Sequence, residues 1–434
     1  MKRADPEDVE AEMMYSASAL DAVPVLVETR FSGSSLPVKD NSTSANLKEL
    51  YTYNQMTGDI ARLVEHISFS SGRKLSEMEK YPKIALFGHD HTGVSQRDLD
   101  PGMLRRIAAW GAMGHLHTFN AAVSSSTPVK SVIENKDYND LVAAAFENKM
   151  LGGSKECLEA VCELFNSGLV ARLGCRTIVL WSRTGRAELE EVFGLRKNHL
   201  KDFEDWWMWS SKGLLGFNME ENDPGCTSPY CNVAKICSKM TAVGARIKTQ
   251  SRKSQGPHWL TALATIRKAR LSNDGTRELT RREIIQKARD PTNNDPEKLH
   301  WFLKCHQYPT FETCDFGSNC PWVRFDKSSE FFFSMCRDAF GITEEEVRKA
   351  STSINRNHGG KGMNDAKGII SVNGEVDPWS SLTVAKSRPR SPVITQIPGA
   401  SHATWSSPKN KRQYSDFKEY YAEVYVALSD FMSY

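Results

Sequence analysis

The sequence predicts an α/β fold whose parallel sheet is built from the two ends of the chain, with a long helical insertion between them. In both flanks, short apolar runs of buried-strand length alternate with segments of helical periodicity. Between about residues 138 and 349 helical periodicity dominates, and all ten cysteines occur there. We therefore expect residues 1–137 and 350–434 to form the two parts of one sheet domain, and residues 138–349 to form a helical cap domain.

The first flank supplies three predicted strands that alternate with helices. Each predicted strand is a short apolar run bounded by turn-forming or polar residues. The strands are expected at residues 23–28, 83–87 and 120–124, and the helices at residues 6–20, at residues 47–66 and around Ile107, Ala108 and Trp110. This alternation favours parallel pairing of the strands.

The last flank resumes the sheet. Residues 368–372 (GIISV) and 393–397 (VITQI) are β-branched apolar runs typical of buried strands. Residues 414–432 have the spacing of an amphipathic helix that closes the domain.

The cysteines of the insertion indicate disulfide bonds. Their spacings lack the paired C-x2-C of zinc ribbons. An even number of cysteines within one segment favours a disulfide-stapled subdomain made in an oxidising compartment, although spacing does not give the pairing. In the same segment, Thr280 and Glu283 have the form of a capping box at the start of a helix.

Composition argues against two classes of partner. Lys and Arg number 56 and Asp and Glu 53, so the net charge of +3 provides no field that favours nucleic acid or a membrane surface. No apolar run approaches the ~20 residues of a membrane-spanning helix. The start of the chain does not predict a signal peptide, because Asp5, Glu7 and Asp8 stand where an apolar core would be needed.

Two residues that follow the last two predicted strands indicate hydrolase chemistry. Asp377 lies in NGEVDPWS, directly after the strand at residues 368–372, and His402 ends PGASH, after the strand at residues 393–397. A carboxylate can orient an imidazole and stabilise its protonated form, so that the ring serves as general base and then as acid. We predict that Asp377 and His402 are the acid and the base of a catalytic triad, placed as in an α/β-hydrolase.

Several segments together resemble one peptidase family. They are NGEVDPWSSL and PGASH, NRNHGG at residues 355–360, WFLKCHQYPTFET at residues 301–313, and VETRFSGSSLP at residues 27–37. These motifs are similar to those of the prolyl carboxypeptidase, dipeptidyl peptidase II and thymus-specific serine protease family. The resemblance implies an α/β-hydrolase sheet domain with a cap, and a serine-type exopeptidase that cleaves next to proline.

The nucleophile position departs from this family. After the strand at residues 83–87 the family has Gly-Gly-Ser-Tyr-Gly/Ser-Gly, whereas this chain has GHDHTG. The outer glycines, Gly88 and Gly93, are kept, and His89 and His91 flank Asp90 at the serine position. No G-x-S-x-G occurs in the sequence. The sequence GGS at residues 152–154 follows no predicted strand, so we do not expect it to form a nucleophile elbow.

Two further departures accompany the substitution. Asp100 and Pro101 are an N-cap and a first helical residue, so the next helix is expected to begin near residue 101, about ten residues later than in an elbow. Its first amide groups would then not help to form an oxyanion hole beside residue 90. The strand that the family places between residues 23–28 and 83–87 in the sheet is also expected to be missing, which would leave unpaired strand edges.

Four interpretations of this site remain open. The first is an impaired or inactive homologue, a pseudoenzyme that keeps the peptide cleft. The second is a hydrolase that uses the carboxylate of Asp90 as its nucleophile. The third is an active serine peptidase whose elbow region has been wrongly translated. The fourth, a metal-dependent phosphoesterase, is suggested by GHDH at residues 88–91 and GHLH at residues 114–117, but the other motifs of such a site are missing.

The resemblance also implies the surroundings of the site. Trp379, Trp301 and Gln307 are expected near the substrate pocket, with Lys304 and Gln307 standing where the family has Gln and Glu. The expected partner is a peptide, without nucleic acid, and no cofactor or metal is expected. A homodimer is one expected state, since dimers are common in such families. The family's location is secreted or lysosomal (vacuolar), whereas this chain shows no signal peptide.

Overall fold

The computed structural model describes residues 11–37, 42–67, 82–88, 101–115, 117–167, 170–173, 176–179, 183–213, 222, 226–250, 252–274, 279–292, 294–322, 324, 328–358, 360, 366–384, 386–387, 391, 393–402, 404–406 and 417–433. Its helices are α1 (Ala11–Ala19), α2 (Ser44–Leu50), α3 (Tyr53–His66), α4 (Pro101–Gly114), α5 (Lys136–Glu147), α6 (Lys155–Ser167), α7 (Arg183–Val192), α8 (Phe203–Gly213), α9 (Val233–Ile247), α10 (Arg252–Asp274), α11 (Arg281–Arg289), α12 (Pro296–His306), α13 (Ser328–Phe340), α14 (Glu344–Asn357) and α15 (Lys418–Ser433). Its strands are β1 (Ala85–Phe87), β2 (Ala121–Ser125), β3 (Val170–Leu173), β4 (Arg176–Val179), β5 (Ile369–Gly374) and β6 (Val393–Ile397).

The central element is a parallel four-stranded sheet in the order β1-β2-β5-β6. Every residue of β2 and β5 is buried, as the continuous apolar runs predict for strands covered on both faces. The predictions of strands at residues 83–87, 120–124, 368–372 and 393–397 are thus confirmed to within one or two residues. Because all four strands run in the same direction, their carboxyl ends lie on one edge of the sheet.

Helices cover both faces of this sheet. On one face, α4 packs on β1 and β2 and contributes Ile107 and Trp110 to the larger core. On the other face, α1 and α15 form a smaller core with Val123, Ile370 and Trp405. This two-sided packing removes the apolar residues of the strands from water and stabilises the sheet.

The described part of residues 138–349 is mostly helical, with one hairpin as an exception. Helices α6 to α13 lie within these residues, α5 and α14 extend beyond their two ends, and the capping box of Thr280 and Glu283 begins α11. The exception is an antiparallel hairpin formed by β3 and β4, which the sequence analysis missed. The boundaries of the cap domain at residues 138 and 349 remain a prediction.

Disulfide bonds hold the insertion together. The pairs are Cys157–Cys237, Cys226–Cys231, Cys305–Cys336 and Cys314–Cys320. The prediction of a disulfide-stapled segment is therefore confirmed for these eight cysteines. Cys162 is buried, and Cys175 lies outside the described residues.

The prediction of a strand at residues 23–28 is wrong. No strand is assigned there, and Val23 is 79% exposed. A strand needs a hydrogen-bonded neighbour, and the strand expected between this segment and β1 is not found beside β1 among the described residues. The segment leads instead into a turn in which Glu28 accepts hydrogen bonds from the Ser34 amide and the Ser35 hydroxyl.

One predicted helix is divided. The expected helix at residues 47–66 consists of α2 and α3, and the break lies at Tyr51 and Thr52. Thr52 is in an extended conformation, and its side chain accepts a hydrogen bond from the Gln55 amide, so it caps α3. No described helix is long and apolar enough to cross a membrane.

Candidate active site

The predicted acid lies just beyond β5, the central strand that β2 and β6 flank. Asp377 is fully buried, and one of its oxygens, Oδ1, accepts a hydrogen bond from the Trp379 amide at 2.8 Å. A backbone donor of this kind stabilises a carboxylate and fixes its orientation. The Trp379 amide, which belongs to the same loop, therefore orients the Asp377 carboxylate without any contribution from His402.

The predicted base lies beside it. Nδ1 of His402 is 3.1 Å from Oδ1 and 3.0 Å from Oδ2 of Asp377, and the His402 side chain is only 7% exposed. With Nδ1 turned to the carboxylate, proton transfer to a substrate or nucleophile would use the other ring nitrogen, Nε2. The structure thus brings together two of the predicted site residues in the geometry that a general base requires.

The loops that carry the pair are joined by backbone contacts. The amides of Glu375 and Val376 donate to the carbonyl oxygens of Ile397 and Ala400, each at 3.1 Å. The Glu375 carboxylate accepts a hydrogen bond from the Gly399 amide at 2.8 Å. These bonds fix the separation of the acid loop and the base loop.

Gly374 permits this close approach. A Cβ atom at this position would lie 2.4 Å from the carbonyl oxygen of Ser401 and 2.5 Å from that of Ala400. Both atoms belong to the backbone of the loop that carries His402, so they cannot move aside independently. The glycine of NGEVDPWS is therefore a packing requirement of the acid–base pair.

The position of the nucleophile lies largely outside the described residues. Gly88 is described, and its amide donates to the Val123 carbonyl oxygen at 3.1 Å, at the end of β1. His89, Asp90, His91 and Gly93 are not described. Helix α4 is described from Pro101 onward, and the prediction that it starts near residue 101 remains a prediction.

A buried carboxylate reaches the same edge of the sheet from α1. The Ser125 hydroxyl, at the end of β2, donates to Oε2 of Glu12 at 2.8 Å, and both side chains are buried. The next residue, Ser126, has a φ of 51°, which is uncommon for a residue other than glycine. Sequence analysis missed Glu12, because nothing in a helical pattern marks an acidic residue as buried.

The three predicted pocket residues lie at different distances from the pair. The Trp379 ring centre is 6.4 Å from that of His402, so this tryptophan adjoins the base. Trp301 is 1% exposed and donates its indole N–H to Glu297, which makes it a core residue. Gln307 contacts the ring of its neighbour His306 at 2.9 Å. The placement of the pocket itself remains a prediction.

A buried ion pair lies near the rings of both tryptophans, Trp301 and Trp379. Nζ of Lys304 lies 5.4 Å from the ring centre of Trp301 and 5.7 Å from that of Trp379. The same ammonium donates to both carboxylate oxygens of Glu312, at 2.6 and 2.9 Å, and both side chains are nearly inaccessible to water. The sequence marked Lys304 only as a departure from the family, and its partner Glu312 was not foreseen.

Two other sequence motifs can be compared with the described residues: the GGS sequence at residues 152–154 and the histidine motifs at residues 88–91 and 114–117. Ser154 of the GGS sequence accepts a hydrogen bond from the Cys157 amide at 3.1 Å, as a cap of α6, so it does not form an elbow. No group of three or more His, Cys, Asp or Glu that could hold a metal is found in the described part of the chain. His115 and His117 are included in that search, whereas His89 and His91 are not.

The small parallel sheet, the helical remainder and the disulfides are consistent with an α/β-hydrolase fold. The sequence profile of the serine carboxypeptidase S28 family matches residues 2–421, and the chain belongs to this serine peptidase family. The resemblance found in the sequence is thereby confirmed.

Proteins with a similar sequence include two thymus-specific serine proteases and a putative serine protease. It is 25% identical to the thymus-specific serine protease of Mus musculus over 309 residues, which cover 70% of this chain and 57% of that protein. The corresponding human protein is 24% identical over 315 residues, covering 70% of this chain and 56% of that protein. A putative serine protease of Caenorhabditis elegans is 23% identical over 397 residues, covering 87% and 68% respectively. The chain thus spans little more than half the length of the two mammalian relatives.

Proposed function

We propose that this chain is an S28 homologue that retains a peptide-binding cleft and an acid–base pair, but hydrolyses peptides poorly or not at all. The proposal rests on the contact between Asp377 and His402 at the edge of the sheet where β1 also ends. In the sequence, Asp90 lies two positions after Gly88, the residue that follows β1. In this proposal the carboxylate of Asp90 stands at the family position of the serine hydroxyl.

The chemistry explains why this substitution matters. In the peptidase reaction His402 would remove the proton of a serine hydroxyl, and Asp377 would stabilise the imidazolium that results. Asp90 has no such proton at neutral pH, and its negative charge repels the electrons of a carbonyl oxygen that is being attacked. A triad without its serine keeps only the modest acceleration that comes from binding and from oxyanion contacts.

The start of α4 supports the same conclusion. In an active elbow, the first amides of the following helix point at the nucleophile and contribute to the oxyanion hole. Asp100 and Pro101 have the sequence of an N-cap and a first helical residue, which places the helix start eleven positions beyond residue 90, and proline has no amide proton to donate. We infer that the loss of the serine is accompanied by a loss of transition-state stabilisation.

The experiment is a hydrolysis assay of peptides that contain proline next to the scissile bond, at acidic and neutral pH. We expect the wild-type protein and the His402→Ala variant to release product at the same background rate. Hydrolysis that requires His402 and is unchanged in Asp90→Asn would overturn the proposal. Hydrolysis abolished by both substitutions would instead establish Asp90 as a carboxylate nucleophile.

The remaining family properties are part of the same proposal. S28 family members are typically lysosomal or secreted, and we propose the same route for this chain, in keeping with its disulfides. We also propose that its ligand is a peptide and that residues 138–349 form a cap domain. We propose a homodimer as one oligomeric state, which light scattering would test. We further propose that the strand that the family places beside β1 is missing, since β1 is at the edge of the sheet formed by the described residues.

A further inference from the structure

One of the four disulfides that the structure describes differs from the others in its exposure. Cys226 and Cys231 are both partly exposed, and Thr227 and Pro229 in the loop between them are exposed. The other three described disulfides join cysteines that are buried. A thiol from solution must reach a sulfur atom before it can exchange with a disulfide, so the Cys226–Cys231 pair is the most accessible of the four.

A lysine ammonium lies beside this disulfide. Nζ of Lys235, in the first turn of α9, is 3.5 Å from Sγ of Cys231. The same ammonium donates hydrogen bonds to the carbonyl oxygens of Cys226 and Ser228, at 2.7 and 2.8 Å. These two bonds to the loop hold the positive charge next to one sulfur of the pair.

The position of this charge makes the two sulfur atoms chemically different. When a disulfide opens, the electron pair of the S–S bond leaves with one sulfur, and a nearby ammonium stabilises the thiolate that forms. Cys231 contacts Lys235 and directly precedes Asn232, the N-cap residue of α9, so the helix dipole acts in the same direction as the ammonium. Cys231 is therefore the better leaving group, and Cys226 is the sulfur that an incoming thiolate attacks.

The opened loop keeps partners for the released sulfur. The carbonyl oxygen of Ser228 lies 2.7 Å from Sγ of Cys231, where it can accept a hydrogen bond from the neutral thiol. Lys235 stabilises the thiolate, so both protonation states of reduced Cys231 have a partner. The pair also closes a loop with a sequence separation of only 5. Because a short loop constrains the unfolded chain least, we expect the protein to stay folded when this disulfide opens.

We propose that the Cys226–Cys231 disulfide is a thiol-exchange site for low-molecular-weight thiols of the glutathione type. The incoming thiolate attacks Sγ of Cys226 and forms a new S–S bond, while the bond to Cys231 breaks and leaves Cys231 as a thiolate beside Lys235. A second thiolate then displaces Cys226 from the mixed disulfide. Two thiols and the protein disulfide thus become a free disulfide and two cysteines, which take up the two thiol protons. This inference does not depend on peptidase activity.

The test exposes the full chain to reduced glutathione at pH 7 without denaturant. Rapid alkylation with N-ethylmaleimide stops the reaction at successive times, and peptide mapping by mass spectrometry locates each opened disulfide and each adduct. Cys314–Cys320 is the internal control, because its sequence separation of 6 is nearly the same but both of its cysteines are buried. We expect Cys226–Cys231 to open faster by about tenfold or more, with the first glutathione on Cys226 and the alkyl group on Cys231.

Substitutions at Lys235 separate the effect of charge from that of exposure. Lys235→Gln keeps a hydrogen-bond donor and removes the charge, whereas Lys235→Arg keeps both. We expect Cys226–Cys231 to open about tenfold more slowly in Lys235→Gln and at nearly the wild-type rate in Lys235→Arg. Lys239→Gln, one turn further along α9, is the matched control and should react like the wild-type protein.

Three results would contradict the proposal. The first is that Cys226–Cys231 stays closed in millimolar glutathione or opens no faster than Cys314–Cys320. The second is a rate in Lys235→Gln equal to or above that of the wild-type protein. The third is a first glutathione adduct mainly on Cys231, which would make Cys226 the leaving group. Circular dichroism establishes that the proteins being compared are equally folded.

Discussion

Nδ1 of His402 lies 3.0 Å from Oδ2 of Asp377, and the two loops that carry these residues are held together by three further hydrogen bonds. The acid–base pair is therefore built into the sheet and does not depend on a bound substrate. The predictions that follow test the groups that support it and the groups that the sequence did not reveal.

Gly374 is expected to be intolerant of even a methyl group. In Gly374→Ala the new Cβ would meet backbone oxygens at 2.4 and 2.5 Å, so the loop with His402 must move. We expect a loss of about 1–3 kcal/mol in the free energy of unfolding, the usual cost of overpacking. Urea denaturation measures it. Gly317→Ala, where a Cβ meets nothing within 4 Å, is the control, and an equal effect in both variants would refute the role of close approach.

Lys304 and Glu312 are expected to depend on each other. In Lys304→Met the Glu312 carboxylate stays buried without its counter-charge, which should cost about 3–5 kcal/mol in unfolding free energy. The double variant Lys304→Met/Glu312→Leu removes both charges and should recover most of this loss. A double-mutant cycle in urea measures the coupling, and strictly additive effects would show that the two charges do not stabilise each other.

Much of the sheet and the acid–base pair was predictable, and the reasons are local. Strands β2, β5 and β6 are short apolar runs, and Asp377 and His402 directly follow two of them. The segment at residues 23–28 is equally apolar but is not a strand, since pairing depends on a neighbour that a local pattern does not specify. Lys304 and Glu312 are eight residues apart, and their contact arises from the fold of the chain after α12.

The disulfides are expected to contribute unequally to stability. Cys157–Cys237 closes a loop with a sequence separation of 80, whereas Cys226–Cys231 has a separation of 5. The loop-entropy relation gives losses of about 4.5 and about 2 kcal/mol for their removal as paired serine variants. Urea unfolding of the two double variants compares them directly. A larger loss for the short loop would contradict the entropic explanation.

Acid is expected to destabilise the protein partly through His358. Its pKa is about 4 in the folded state and about 6.5 when unfolded, so above pH 6.5 both states hold a neutral ring. Between pH 6.5 and 4 the unfolded state takes up the proton first, and the free energy of unfolding falls by about 3 kcal/mol. The His358→Phe variant should lose this part of the pH dependence, and the exposed His117→Phe control should keep it. An identical pH profile for wild type and His358→Phe would contradict the pKa shift.

The central claim is that no serine nucleophile acts together with Asp377 and His402. The most direct measurement is the intact mass of the purified protein after treatment with diisopropyl fluorophosphate, a reagent that phosphorylates the activated serine of serine peptidases. The account predicts no adduct on the wild-type protein beyond that on His402→Ala, while an active serine peptidase treated in parallel is fully labelled. A single stoichiometric adduct on a serine, lost in His402→Ala, would contradict it.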